Sequence, residues 1–208
     1  MKLNEALDIC GIIAILRGVT PDEVVSVTQS LFDAGIRIVE VPLNSPDPFA
    51  SIAKISNAFA GKMVMGAGTV LSVQDVNLLK DHGGQISVSP DCNPEVIARA
   101  VAQGMEPLPG VFTPTEAFAA IRAGATHLKL FPAEAASPAT IKAWKAVLPK
   151  NVKVHAVGGV TPENMSAWLA AGTAGFGIGS ALYKPGSSLA KIAESAHSLV
   201  SAFHRARI

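Results

Sequence analysis

The sequence predicts an α/β fold, a single (β/α)8 TIM barrel that spans residues 1–208 as one domain. Eight short apolar runs recur at intervals of roughly 20 to 26 residues, which leaves room for one helix and two loops between runs. The intervening segments show helical periodicity, and runs that are apolar along most of their length are typical of a parallel sheet with a covered outer face. Eight such units favour closure into a barrel, and an open doubly wound sheet is the alternative.

The first unit shows how strands and helices are expected to follow one another. The segment 22–34 repeats apolar residues at spacings of three and four from Val24 to Ala34. Thr20 is suited to cap this helix, and Gly35 is suited to end it. The eight apolar runs themselves cover residues 12–16, 38–41, 63–67, 85–88, 105–108, 126–131, 152–157 and 175–178.

Further helix boundaries follow the same pattern. A Thr-Pro pair recurs at Thr113 and Thr161, and each pair predicts the beginning of a helix. An amphipathic segment at 188–204 predicts the last helix of the eighth unit. The segment 3–10 precedes the first run, and we expect it to form a short helix that closes the bottom of the barrel.

Composition excludes several classes of partner. Charged residues make up 16% of the chain and the net charge is +1, so no basic face for nucleic acid and no polybasic membrane patch is expected. The longest apolar run near the start, 10–16, is too short to cross a bilayer. The first residues show no signal-peptide pattern, and Cys10 and Cys92 are expected to be free thiols in a reducing cytoplasm.

Lys129 is the most informative residue for chemistry. It lies in the sixth run, where alternation places it on the face opposite Leu128 and Leu130. If those leucines pack against helices, the ammonium group points into the barrel, where burial lowers the pKa of a lysine and makes its amine nucleophilic. The alternative is a structural lysine paired with an inward carboxylate.

Other polar residues follow the strands at the end where barrel enzymes place their active sites. Glu40 closes the second run and could act as a general acid and base, or instead form a salt bridge or a cap. Arg17 follows the first run and suits a substrate carboxylate, although an ordinary surface arginine is the alternative. Asn44 and Thr69 follow the second and third runs.

Glycine-rich turns follow the seventh and eighth runs. Gly158 and Gly159 come directly after the seventh run, and Gly179 and Ser180 follow the eighth. Backbone amides at these two loops form the usual phosphate site of a barrel, so their pairing predicts phosphate binding, although either turn alone could be structural. The histidines show no ligand spacing, and we expect neither a metal nor a cofactor.

Several motifs together carry a resemblance that covers nearly the whole chain. They are Ile-Ala-Ile-Leu-Arg-Gly at 13–18, Gly-Ala-Gly-Thr-Val at 66–70, Leu-Lys-Leu-Phe-Pro-Ala at 128–133, Gly-Gly-Val at 158–160 and Gly-Ser-Ala-Leu-Tyr at 179–183. In this order they resemble the class I aldolases that act on 2-keto-3-deoxy-6-phospho sugar acids. The resemblance implies a phosphorylated sugar acid as substrate, a homotrimer, and no metal.

The resemblance also implies roles for individual residues. Lys129 would form a Schiff base with the keto carbon, and Glu40 would move protons. Arg17, Thr69 and Asn44 would hold the carboxylate end of the substrate, and Pro90 and Phe131 would form a wall of the pocket. The phosphate would bind to backbone amides, those of Gly158, Gly159, Gly179 and Ser180.

Two branches of this family differ at two positions. Asn44 stands where the gluconate-type aldolases carry an arginine, and Val157 stands where they usually carry a threonine. A threonine can donate a hydrogen bond to a substrate hydroxyl and a valine cannot, so the chain resembles the galactonate-type branch. Three alternatives are kept: a gluconate-type aldolase, a different phosphate-binding barrel such as an isomerase or a thiamine-phosphate-synthase-like enzyme, and a non-catalytic sugar-phosphate sensor.

Overall fold

The structure is a computed structural model, and it describes residues 1–207. The strands lie where the eight apolar runs predicted them, and a further two-residue strand, outside the predicted runs, follows the fifth. They are β1 (Ile12–Ile15), β2 (Ile38–Pro42), β3 (Val64–Gly68), β4 (Ile86–Val88), β5 (Glu106–Leu108), β6 (Gly110–Val111), β7 (His127–Leu130), β8 (Lys153–Val157) and β9 (Gly175–Ile178).

All neighbouring strands are parallel, and the sheet closes on itself. The order is β5-β4-β3-β2-β1-β9-β8-β7-β6, so the two halves of the fifth strand stand at its two ends. Pro109 joins these halves, and its carbonyl accepts a hydrogen bond of 2.9 Å from the amide of Lys129. Gly110 then pairs in register with Lys129. The predicted (β/α)8 TIM barrel is confirmed, and the open-sheet alternative is wrong.

Helices follow the strands and cover the outer face of the barrel. They are α1 (Leu3–Ile9), α2 (Val24–Asp33), α3 (Pro48–Ala58), α4 (Val73–Asp81), α5 (Pro94–Ala102), α6 (Pro114–Arg122), α7 (Pro138–Lys145), α8 (Met165–Ala170) and α9 (Leu189–Ala206), with a one-turn 3₁₀ helix at Ala133–Ala135. In the part of the chain that the structure describes, no helix has the length and apolar character needed to cross a membrane.

The Thr-Pro pairs predicted one helix start correctly and two too early. Thr113 caps α6 as expected, because its hydroxyl accepts from the amide of Glu116 and the Glu116 carboxylate accepts in return. After Thr20, the chain first makes a separate turn in which the Thr20 carbonyl accepts from the amide of Glu23, and α2 begins only at Val24. A similar turn after Thr161 delays α8.

Alternation along the strands divides the interior into two layers. Every second side chain of a strand points outward and packs in the layer between the strands and the helices. Leu128 and Leu130 belong to this outer layer. The others point into the barrel, where the lower end is filled by Leu3 and Leu7 of α1 against inward residues such as Ile38. The predicted helix at the barrel bottom therefore exists, and the open end of the barrel is the opposite one.

Candidate active site

A cleft of about 460 Å³ opens at the carboxyl ends of the strands, within the size range of small-molecule sites. Ten of the twelve residues proposed from the sequence line it, and the two that do not are Glu40 and Asn44. The ten are Arg17, Thr69, Pro90, Lys129, Phe131, Val157, Gly158, Gly159, Gly179 and Ser180. The cleft therefore joins β1, β3, β4, β7, β8 and β9 through the ends of these strands and the loops that follow them.

Lys129 rises from the interior of the barrel to the floor of this cleft. Its residue is only 7% exposed, and its neighbours Leu128 and Leu130 pack outward, as alternation required. Burial lowers the pKa of Lys129 below its ordinary value, while the charge of Glu40 raises this pKa and that of Arg17 lowers it. The amine is thereby shifted toward the neutral, nucleophilic form.

Glu40 lies beneath the cleft rather than on its wall. Its carboxyl group is buried, and burial raises its pKa against the opposing charges of Lys129 and Arg17. Gly68 leaves the space that this carboxyl group occupies, since a side chain there would collide with Oε2. Oε2 has no hydrogen-bond partner, and among residues 1–207 no ion pair within 4.0 Å joins Glu40 to Lys129. Glu40 is thus a buried carboxyl group that is free to exchange a proton.

Arg17 and Asn44 form one unit at the edge of the cleft. Arg17 is exposed, and its Nη1 donates a hydrogen bond of 2.5 Å to Oδ1 of Asn44. The following amide, that of Gly18, donates to Ser45 Oγ at 2.9 Å. These two bonds tie the loop after β1 to the loop after β2. Asn44 therefore orients the guanidinium group and does not itself face the cleft.

Thr69 and Phe131 add two further features to the wall of the cleft. Thr69 has a positive φ of 58°, a conformation that side chains rarely adopt and that concentrates at functional sites. The ring of Phe131 lies beside the amine, with Nζ of Lys129 4.7 Å from the ring centroid. The aromatic face shields the amine from water on that side.

The two glycine turns present unused donors to the cleft. Gly158 and Gly159 have positive φ values of 105° and 65°, which glycine adopts without strain. None of the hydrogen bonds found within residues 1–207 uses the amides of Gly158, Gly159, Gly179 or Ser180. Four N–H groups on residues of the cleft wall are thus without a partner inside the protein, and backbone amides of this kind can bind a phosphate.

The sequence is also similar to known proteins. A family model for KDPG and KHG aldolase matches residues 3–194. The chain belongs to this aldolase family. It is 50% identical over 195 residues to the 2-dehydro-3-deoxy-6-phosphogalactonate aldolase of Escherichia coli (strain K12), covering 94% of this chain and 95% of that protein.

Two further comparisons place the aldolase within the family. A solved structure described as native KDPGal superposes with a TM-score of 0.92 at 50% identity, covering 94% of this chain and 95% of that one. The 2-dehydro-3-deoxy-phosphogluconate aldolase of Treponema pallidum (strain Nichols) is 29% identical over 82% of this chain and 80% of its own length. The enzyme is a lyase, and the gluconate-type relative is the more distant of the two.

Glu134 is the one charged residue lining the aldolase cleft, among residues 1–207, that was not proposed from the sequence. Glu134 lines the cleft from the 3₁₀ turn Ala133–Ala135, five residues after Lys129. An acidic side chain in the turn that follows a strand was the available signal, because turns at that end of a barrel face the active site.

Buried histidines occupy the barrel interior below the site. His127 and His155 stack with ring centroids 5.2 Å apart, and Nδ1 of His127 lies 2.9 Å from Nε2 of His155. Both residues are buried. Across residues 1–207, no group of three or more His, Cys, Asp or Glu side chains is arranged to hold a metal ion.

Proposed function

We propose that this chain is a class I aldolase that forms a Schiff base at Lys129 and cleaves 2-dehydro-3-deoxy-6-phospho-D-galactonate into pyruvate and D-glyceraldehyde 3-phosphate. The observation that carries the proposal is the buried amine of Lys129, whose pKa is lowered, on the floor of a cleft with a guanidinium group on one side and four free amides on the other. The 50% identity to a phosphogalactonate aldolase supports the choice of substrate.

The chemistry needs an electron sink and a group that carries protons. The neutral amine of Lys129 attacks the C2 ketone, and loss of water leaves an iminium ion. The C3–C4 bond then breaks: its electron pair becomes the enamine of pyruvate, and the C4 hydroxyl loses its proton as C4 becomes the aldehyde. Protonation at C3 and hydrolysis release pyruvate. Glu40, buried beside the amine with a raised pKa, is the group that takes and returns these protons.

The two anionic ends of the substrate fit the two ends of the cleft. Arg17, held by Asn44, binds the C1 carboxylate next to Thr69. Pro90 and Phe131 wall the reacting carbons. The amides of the two glycine turns bind the 6-phosphate, as their free N–H groups allow. We also carry over from the family resemblance a homotrimer, and a cytoplasmic location that agrees with two free cysteines.

Trapping of the imine tests this proposal directly. Incubation with pyruvate and sodium borohydride is expected to reduce the imine and to add one reduced pyruvyl group per chain. Peptide mapping by mass spectrometry should locate it on Lys129. Lys153 is the internal control, because it also lies on an inner strand position but donates to Asn4 at the barrel bottom. An adduct on another lysine contradicts the proposal, and tight substrate binding without adduct or turnover would support the sensor alternative.

Val157 is expected to set the preference between the C4 epimers. Its side chain is 7% exposed, lines the cleft and packs beside Gly177. Val157→Thr replaces a methyl group by a hydroxyl group that can bond a substrate hydroxyl, so the ratio of kcat/KM should shift toward the gluconate epimer by about 3- to 10-fold. Assays on both epimers check this, with Val154→Thr, on the same strand but facing the helices, as the control. An unchanged ratio, or a wild type that prefers the gluconate epimer, would contradict the assignment.

A further inference from the structure

Glu134 is the one acidic side chain that lines the cleft in the described part of the aldolase. It reaches from the turn after β7 to the loop after β8. Its Oε2 lies 2.5 Å from the position that a Cβ atom would take at Gly158, and its Cβ lies 2.8 Å from the corresponding position at Gly159. The two glycines therefore leave the space that Glu134 occupies, and any side chain in either place would displace it.

The carboxylate of Glu134 is exposed to the cleft, and within residues 1–207 it forms no ion pair. A carboxylate accepts hydrogen bonds and cannot donate them. The carboxylate and the phosphate dianion of the substrate carry only acceptors, so neither can donate a hydrogen bond to Glu134. A hydroxyl group is the part of a sugar acid phosphate that complements it.

The proposed function puts C2 of the substrate at Lys129 and the 6-phosphate at the glycine amides, which both line the cleft. C5 is the hydroxyl-bearing carbon nearest to the 6-phosphate, and therefore nearest to the loop at Gly158. Glu134 adjoins that loop. Resting on the proposed function, we propose that Glu134 accepts a hydrogen bond from the C5 hydroxyl group and so selects aldehydes that are hydroxylated next to the carbonyl.

This contact concerns the one hydroxyl group that the aldehyde product retains. In the synthetic direction it is the 2-hydroxyl group of D-glyceraldehyde 3-phosphate, and 3-oxopropyl phosphate is the same acceptor without it. The two acceptors share the aldehyde and the phosphate. A difference between them in the effect of a mutation therefore reports the hydroxyl contact alone.

The experiment measures the addition of pyruvate to each acceptor by the wild type, Glu134→Leu and Glu134→Gln. Glu134→Leu removes the acceptor oxygens, and kcat/KM for D-glyceraldehyde 3-phosphate should fall by about 10- to 100-fold, the usual size for a hydrogen bond to a charged group. With 3-oxopropyl phosphate it should change by less than about 2-fold, since no bond is lost. Glu134→Gln keeps one oxygen that can accept a hydrogen bond. Its kcat/KM for D-glyceraldehyde 3-phosphate should therefore lie between the values of the wild type and Glu134→Leu.

Controls separate this inference from the function on which it rests. Glu106→Leu removes an exposed carboxylate at the start of β5, far from the cleft, and should match the wild type on both acceptors. Borohydride trapping of pyruvate verifies that each variant folds around Lys129. Equal losses on both acceptors would overturn the role of Glu134 while leaving the aldolase proposal intact. A wild type that joins pyruvate to neither acceptor would overturn both.

Discussion

Replacing Lys129 by methionine is expected to lower kcat on the order of 10⁴-fold or more, because the covalent step has no other nucleophile. The same change should leave the barrel as stable as the wild type, or more stable. Burial disfavours the ammonium form of Lys129, and in the described chain no ion pair within 4.0 Å offsets this cost. Methionine has a similar length and removes the buried charge.

The two halves of this prediction discriminate between the interpretations of Lys129. Turnover is measured by coupling pyruvate release to lactate dehydrogenase, and stability by thermal unfolding. Lys153→Met, a change at the other end of the barrel, is the matched control and should retain kcat. Retained activity in Lys129→Met would point to a different phosphate-binding barrel. A marked fall in Tm would show that the lysine is structural.

The sequence predicted the barrel because alternation and spacing are local properties. Lys129 between Leu128 and Leu130 already defines an inward and an outward face, and the structure buries the leucines outward. The fifth strand was harder to delimit, because Pro109 interrupts it and a proline cannot donate to the sheet. Its second half, Gly110–Val111, is held by pairing with β7, which the sequence does not display.

The sequence could predict those residues of the site whose position depends only on where a strand ends. Arg17, Thr69 and the glycine turns reach the cleft because each follows its strand directly. The depth of Glu40 depends on Gly68 of the neighbouring strand, which leaves room for its carboxyl group. The role of Asn44 as a partner of Arg17 depends on how two loops meet. Such contacts arise only once the strands are in register.

Acidification is expected to destabilise the folded chain through its buried histidine pair. Burial lowers the pKa of His127 to about 4, and burial together with His127 and Lys153 lowers the pKa of His155 well below its ordinary value. Well above pH 6.5 the rings are neutral in both the folded and the unfolded chain and contribute no pH dependence. As the pH falls from 6.5 to 4, the unfolded chain binds protons that the folded chain refuses, so the free energy of unfolding decreases.

The size of the effect follows from the same shift. At pH 4.5, His127 alone is expected to remove about 2.5 kcal/mol from the free energy of unfolding, and His155 adds to this loss. The double variant His127→Gln/His155→Gln cannot titrate and should lose correspondingly less stability. Urea unfolding at pH 7.5 and 4.5 at constant ionic strength measures both. His197→Gln, an exposed histidine on α9, is the control and should behave as the wild type.

Glu40 cannot account for this acid sensitivity, because its titration acts in the opposite direction. Burial raises its pKa, so the folded chain takes up that proton more readily than the unfolded chain, and acidification relieves the cost of its buried charge. Glu40 is also present in both the wild type and the double histidine variant. Its contribution to the free energy of unfolding therefore cancels when the two proteins are compared. An equal loss in the two proteins would therefore mean that the pair at His127 and His155 is charged, or open to water, in the folded chain.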